Sequence, residues 1–266
     1  MHLSSELFDL ISFSPHASSK PQSRQAGSAF TNVLHFGAMR SLTVLNQHII
    51  TCTACPRLVT YRQAVAQEKR RQYREWTYWG RPVPGFGDPA ARLYVLGLAP
   101  AAHGGNRTGR IFTGDRSGDW LYEALHHFGF ANQATSTHRD DGLALSDCYI
   151  GATVRCAPPD NKPMPEEFER CRPFVREELR LLQKMRVVVV LGKIAFDHYL
   201  KACREEGRML PSPLPTFGHG TVYRLPWHVT LVGSYHPSQQ NTFTGKLTKP
   251  MFHAVFTLAK SAIEQD

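Results

Sequence analysis

The chain has 266 residues, 42% of them hydrophobic, with 20 glycines and 18 prolines, a composition that argues for a globular protein with one substantial core. Lys and Arg number 31 against 22 Asp and Glu, giving a formal charge of +9; this favours a polyanionic partner, because clustered cations release the counterions condensed on phosphates, and leaves a basic enzyme without such a partner as the alternative. No apolar run approaches the roughly 20 residues that a bilayer requires, so no membrane span is expected.

Residues 1–40 are rich in Ser, Ala, His and Gln, lack sustained periodicity and are expected to form a disordered tail, with one domain following over 41–266. Serines there allow a transit peptide, but Glu6 and Asp9 count against one. "SLTVLNQHI" is the first helical pattern. The segment from Arg57 to Trp76 is basic and helix-compatible, with Lys69, Arg70, Arg71 and Arg74 close together; it suits either a solvated face or a phosphate-contacting surface. After the connector "RPVPGFGDPAA", the run "RLYVLGLAP" reads as a buried strand ending in a glycine-rich loop, and "SGDWLYEALHHFGF" as a helix with Ser117 as its N-cap. "DCYIGATVRC" predicts a second strand, and "PEEFERCRPFVREELRLLQKM" a helix opened by Pro165. "RVVVVLG" predicts a third strand, "KIAFDHYLKACREE" a helix, "VTLVGSYHP" a fourth strand, and "LTKPMFHAVFTLAKSAIEQ" a closing helix.

Alternating strands and helices predict a three-layer α/β/α fold around a central four-stranded parallel sheet. In such sheets ligands bind outside the carboxyl ends of the strands. The loops there are "APAAHGGNRTGRIFTGD", "CAPPDNKPMP", "GKIA" and "SYHPSQQNTFTG", so the chemistry is expected in them. Six cysteines occur. Cys52 and Cys55 form C-x-x-C, and Cys156 and Cys171 make a second pair; four thiolates suit tetrahedral zinc or a four-iron cluster, and spacing alone does not choose. Cys148 and Cys203 fall in a predicted strand and helix and are expected to be core thiols.

The segments "TACPRL", "GLAPAAHGGNRTGRIFTGDRSG", "YIGATVRCAPPDNKP", "VVLGKIA" and "SYHPSQQNTFTG" together resemble, in family order, the uracil-DNA glycosylase superfamily, specifically its iron–sulfur family 5, or type b. The resemblance implies a [4Fe-4S] cluster on Cys52, Cys55, Cys156 and Cys171. It also implies hydrolysis of the N-glycosidic bond of a flipped, damaged base in double-stranded or single-stranded DNA, by a monomeric, cytoplasmic, nucleoid-associated repair enzyme. A noncatalytic iron–sulfur or zinc nucleic-acid-binding module of the same fold is the alternative. Substrate contacts are implied for Gly97, Ala99, Ala102, Phe112, Ala152, Ser238, Gln240 and Asn241.

Departures from the sister branch sharpen the reading. Where a "GEAPG"-like motif places a water-positioning acid, this chain has Leu98, and where "YITNVVKC" places a uracil-reading asparagine it has Ala152. A wedge that is apolar in an "HPSPL"-like loop is here Gln240.

Asp115 is the one acid between Gly97 and Gly118. It is expected to stabilise a sugar cation and polarise water, or else to cap the next helix. His236 is expected to donate to the departing base, or to be a turn residue before Pro237. Asn161 would align water or contact the base, or simply form its turn. Phe112 is expected as a stacking platform, with burial in the core as its alternative. The glycines suit close approach to base and backbone, with Arg107 and Arg110 available for charge.

Overall fold

A computed structural model describes residues 40–265; the tail expected over 1–40 lies, but for Arg40, outside the described residues. Helix α1 (Leu42–Ile50) is capped by the Ser41 hydroxyl, and α2 (Pro56–Glu68) opens with its proline in the first turn. Short β1 (Phe86–Gly87) leads to β2 (Leu93–Gly97), the one-turn α3 (Gly105–Thr108), α4 (Arg116–His127) and β3 (Cys148–Ala152). Then come α5 (Pro165–Leu181), β4 (Val187–Leu191), α6 (Lys193–Glu205), β5 (Val222–Arg224), β6 (Thr230–Ser234), α7 (Gln239–Phe243) and α8 (Lys249–Glu264).

The strands form one sheet in the order β1-β3-β2-β4-β6-β5. Its four inner strands are parallel, as expected, and every residue of them is buried. Burial on both faces explains why these segments are apolar runs with no polar alternation. The sheet is wider than the sequence indicated, because β1 and β5 add antiparallel edges. Side chains alternate between two cores. Tyr94, Leu96, Tyr149, Val188 and Val190 pack with Phe174, Phe196 and Tyr199 of α5 and α6. Leu93, Val95, Ile150, Val187 and Val189 pack with Leu121 and Leu125 of α4 and Phe252 and Phe256 of α8. Cys148 and Cys203 are fully buried core thiols, as expected.

Two local readings change. The basic stretch is not one helix: α2 ends at Glu68, and Lys69 takes a left-handed φ of 52° before a single 3-10 turn over Arg71–Tyr73. Helix α4 begins at Arg116, so its N-cap is Asp115 and not Ser117, because the Asp115 carboxylate reaches the third amide of the helix, Gly118.

Beneath the carboxyl end of the sheet an ion pair is sealed off from water. Arg155, 1% exposed, donates through Nη2 to Glu178 Oε2 at 2.5 Å, and the Tyr94 hydroxyl donates to the same oxygen at 2.6 Å. Removing one partner of such a pair strands the other charge in a dry interior. Glu178→Ala is therefore expected to cost about 3–5 kcal/mol, read as a lowered urea midpoint. Glu178→Gln, which keeps an acceptor for Arg155, is expected to lose less.

Candidate active site

The loop leaving β2 stays zipped to β3 beyond both strands. Thr153 N–H donates to the Gly97 carbonyl at 3.0 Å and Val154 N–H to the Leu98 carbonyl at 2.9 Å, where the Thr153 hydroxyl also donates at 2.7 Å. Gly97 and Ala152 are register partners in the sheet, so two expected substrate-contact positions lie side by side. Ala99 and Ala102 follow, both half-buried.

Phe112 has a left-handed φ of 52° and is 6% exposed. Its ring lies against Gly97, where a Cβ would approach ring carbons at 2.7 and 2.8 Å, closer than real Cβ contacts allow. The ring stacks beside His236, with centroids 5.8 Å apart and planes 29° apart. The fold thus joins Gly97, Phe112 and His236 from two loops. The ring of Phe112 also belongs to the α4-side core with Ile111 and Leu121, the surroundings that the core-burial alternative for this residue describes.

His236 is partly exposed, yet desolvation of its imidazole lowers the pKa to about 4. It is neutral at physiological pH and offers one ring N–H as a donor. Its carbonyl accepts from Asn241 Nδ2 at 2.8 Å, while the Ser238 hydroxyl caps α7 by accepting from Asn241 N–H at 3.4 Å. Ser238 and Asn241 therefore shape the His236 loop, and Gln240 is exposed at its tip.

Asp115 accepts the Gly118 N–H at 3.1 Å. Burial raises its pKa above the ordinary carboxylate value, opposed by the Gly118 and Ser117 amides and by Arg107. The loop closes on this side chain so tightly that a Cβ at Gly104 would overlap the carboxylate. The pair Gly104-Gly105 is visible in the sequence, but the fold alone decides which glycine faces Asp115. Asn161 lies in the short turn that follows β3: it is exposed, left-handed at φ 56°, and its N–H donates to the Pro158 carbonyl at 3.3 Å.

Arg107 and Arg110, expected to offer charge from the loop, are 3% and 4% exposed and committed internally. Arg110 pairs with Asp141 at 2.7 Å and donates to Thr113 and Ser136. Arg107 donates to the His103 and Gly114 carbonyls at 2.7 and 2.9 Å. Both guanidiniums brace the loop from within.

On the opposite side of the sheet the four cysteines lie near enough for their charges to act on one another. Cys52 follows α1, Cys55 precedes α2, Cys156 follows β3 and Cys171 sits in α5, all within or against one core cluster. Burial raises the thiol pKa of Cys55, that of Cys156 to about 12, and that of Cys171 still further; charge on neighbouring cysteines adds to each shift. Arg62 and Arg170 oppose these shifts at Cys156 and Cys55. Arg62 is 3% exposed and its Nε has no partner. Among the described residues no group of three or more His, Cys, Asp or Glu side chains converges to hold a metal ion.

The profile of the Uracil DNA glycosylase superfamily matches residues 84–260. The Type-5 uracil-DNA glycosylase of Mycobacterium tuberculosis is 50% identical over 225 residues, which are 84% of this chain and 82% of that protein. The Type-5 uracil-DNA glycosylase of Thermus thermophilus is 50% identical over 214 residues, 80% of this chain and 94% of the relative. A Type-4 uracil-DNA glycosylase from Pyrobaculum aerophilum is more distant, 30% identical over 162 residues, 60% of this chain and 74% of the relative.

The raised pKa of Asp115 has a thermodynamic sign. A carboxyl whose folded pKa lies above its unfolded value weakens the fold while ionised, and that cost is relieved as pH falls through the folded pKa toward the unfolded one. Asn caps a helix as well as Asp and carries no charge. Asp115→Asn is therefore expected to melt at or above the wild-type temperature at neutral pH, with the difference shrinking in acid, as followed by thermal unfolding across pH.

Proposed function

Because the chain belongs to the uracil DNA glycosylase superfamily, in its type-5 branch, it is a DNA glycosylase, and we propose that it hydrolyses the N-glycosidic bond of uracil and of other deaminated or modified bases, initiating base excision repair. The observation that carries this reading is the meeting of Gly97, Phe112 and His236 at the carboxyl end of the sheet, on the loop that also bears Asp115. A base must leave the duplex to reach such a site, and a planar ring with a neutral donor beside it suits a planar base that becomes anionic as it departs.

In this mechanism the base stacks on Phe112, whose ring occupies the space that Gly97 leaves free of a side chain. His236, kept neutral by burial, donates to the oxygen of the departing base. Asp115 stabilises the cationic sugar and polarises the attacking water; with Leu98 at the position of the sister branch's acid, no other carboxylate lies on this loop. Asn161 aligns the water as its loop meets DNA. Ala152 presents no polar atom to the base, so selection rests on stacking and on how readily a base leaves the helix, which favours mismatched lesions in double-stranded DNA and permits single-stranded substrates. The enzyme acts as a monomer.

Cys52, Cys55, Cys156 and Cys171 suit a [4Fe-4S] cluster: the donors are all soft thiols, and the buried Arg62 guanidinium, whose charge acts on Cys156, provides a positive group for an anionic centre. The bound cluster would supply a covalent tie between the N-terminal helices, the loop after β3 and α5, and no chemistry at the base. Protein purified without oxygen is expected to be brown with about four irons per chain; stoichiometric zinc would refute the cluster.

The activity is read as abasic sites formed in duplexes carrying uracil, hypoxanthine, ethenocytosine or hydroxymethyluracil, and absence of cleavage on all four would refute the reading. Asp115→Asn is expected to slow single-turnover cleavage by roughly 10²-fold or more with little change in binding. Cleavage near the wild-type rate would reduce Asp115 to a helix cap. Ala152→Asn is expected to narrow the substrate range toward uracil.

A further inference from the structure

Arg107 does more than hydrogen-bond to its own loop. Its guanidinium carbon lies 3.9 Å from the ring centre of Tyr73 and 4.1 Å from that of Trp76, so a buried cation is clasped by two aromatic rings from the segment that follows α2. The rings meet edge to face, with centroids 6.0 Å apart. Such a clasp is strong where water is excluded. Two further ties join the same segment to the same loop: the Tyr78 hydroxyl receives the Arg70 N–H at 3.4 Å, and it shares a hydrogen bond with His103 Nδ1 at 3.1 Å. Lys69 Nζ closes the turn by donating to the Arg74 carbonyl at 3.2 Å.

What this anchoring displays is a row of free charge. Arg70, Arg71 and Arg74 are exposed, and among the described residues none has an ion-pair partner. Arg70, Arg71 and Gln72 stand side by side on an open stretch of surface. Arg70 lies close enough to the glycine-rich loop for its charge, after burial, to depress the His103 pKa. A surface of three solvated guanidiniums gains little from one another's company, and side chains of this kind are commonly left mobile; here their backbone is instead bolted, through Arg107, to the carbonyl of Gly114, the residue before Asp115.

We propose that residues 69–74 form a clamp for the DNA phosphate backbone, and that the Tyr73–Arg107–Trp76 clasp fixes this clamp in register with the loop bearing Phe112 and Asp115. The proposal rests on the glycosylase reading for its choice of polyanion. Phosphates gripped by Arg70, Arg71 and Arg74 set where the strand passes the site, and the clasp turns that grip into a fixed offset between backbone and base. Arg107 is a positioning residue here, since its charge faces aromatic rings and carbonyls and not the DNA.

The test is the salt dependence of binding to an undamaged duplex, using the full chain. Each phosphate contact contributes about 0.9 to the log–log slope, so replacing Arg70, Arg71 and Arg74 together by Gln is expected to flatten it by roughly 2–3. Tyr73→Leu with Trp76→Leu leaves all three arginines in place, yet is expected to lose most of the same slope because the clamp is no longer held. A triple-Gln variant with the wild-type slope overturns the clamp. A double-Leu variant that melts like wild type and keeps the full slope overturns the clasp; if it melts early, Tyr73→Phe with Trp76→Phe, which keeps two rings, is expected to retain the slope, and its loss there overturns the clasp equally. Abasic-site formation by the wild type is scored separately: slope changes without any cleavage would refute the glycosylase reading and leave the clamp, whereas cleavage with unaltered slopes would refute the clamp alone.

Discussion

Four parallel strands with no face turned to water govern the arrangement of everything polar in this protein. A strand buried on both sides must carry apolar side chains throughout, so function is displaced to the points where the strands end. Hydrogen bonding confirms how firmly those ends are set, for the loop after β2 is still pairing with β3 at Leu98. The loops begin from a rigid edge, and the side chains they carry inherit its precision. Even the charged pair Arg155–Glu178 obeys the rule, as it is admitted to the interior only with both charges and Tyr94 in contact.

Within the site two titratable groups are moved in opposite charge senses by the same cause. Desolvation raises Asp115, an acid, and lowers His236, a base, so that burial disfavours charge on both. The Gly118 and Ser117 amides and Arg107 then act on the acid alone. An enclosed carboxyl on one loop and a neutral imidazole on another are the outcome, a combination suited to a reaction in which the sugar becomes positive and the base negative. Strain accompanies it: Phe112 holds a left-handed backbone that a bulky residue ordinarily avoids, and the first turn of α4 passes so near that Gly118 has no room for a side chain.

The sheet was legible in the sequence because a run such as "RVVVVLG" has no other soluble home, and α5 and α8 were legible because each opens with a proline in a helical pattern. The edges β1 and β5 were not, since two or three residues become a strand only when a neighbour pairs with them. Ser117 resembled a cap as closely as Asp115 did, and they are separated only by where the helical backbone begins, with Asp115 extended and Ser117 already inside the first turn. Arg107 and Arg110 misled for a related reason: a cation in a polar loop reads as exposed, whereas its true partners, two rings for one and Asp141 for the other, are distant in the chain. The residue types of the site could be read locally. Their division between contact and support could not.

The hydrogen bond from Asn241 to the His236 carbonyl separates two parts of one loop that a sequence presents as continuous. Upstream of it the imidazole is fixed; downstream Gln239, Gln240 and Phe243 stand in solvent on a five-residue helix. The loop therefore has an inner stretch whose backbone is tied at the His236 carbonyl and an outer stretch whose side chains are exposed to solvent.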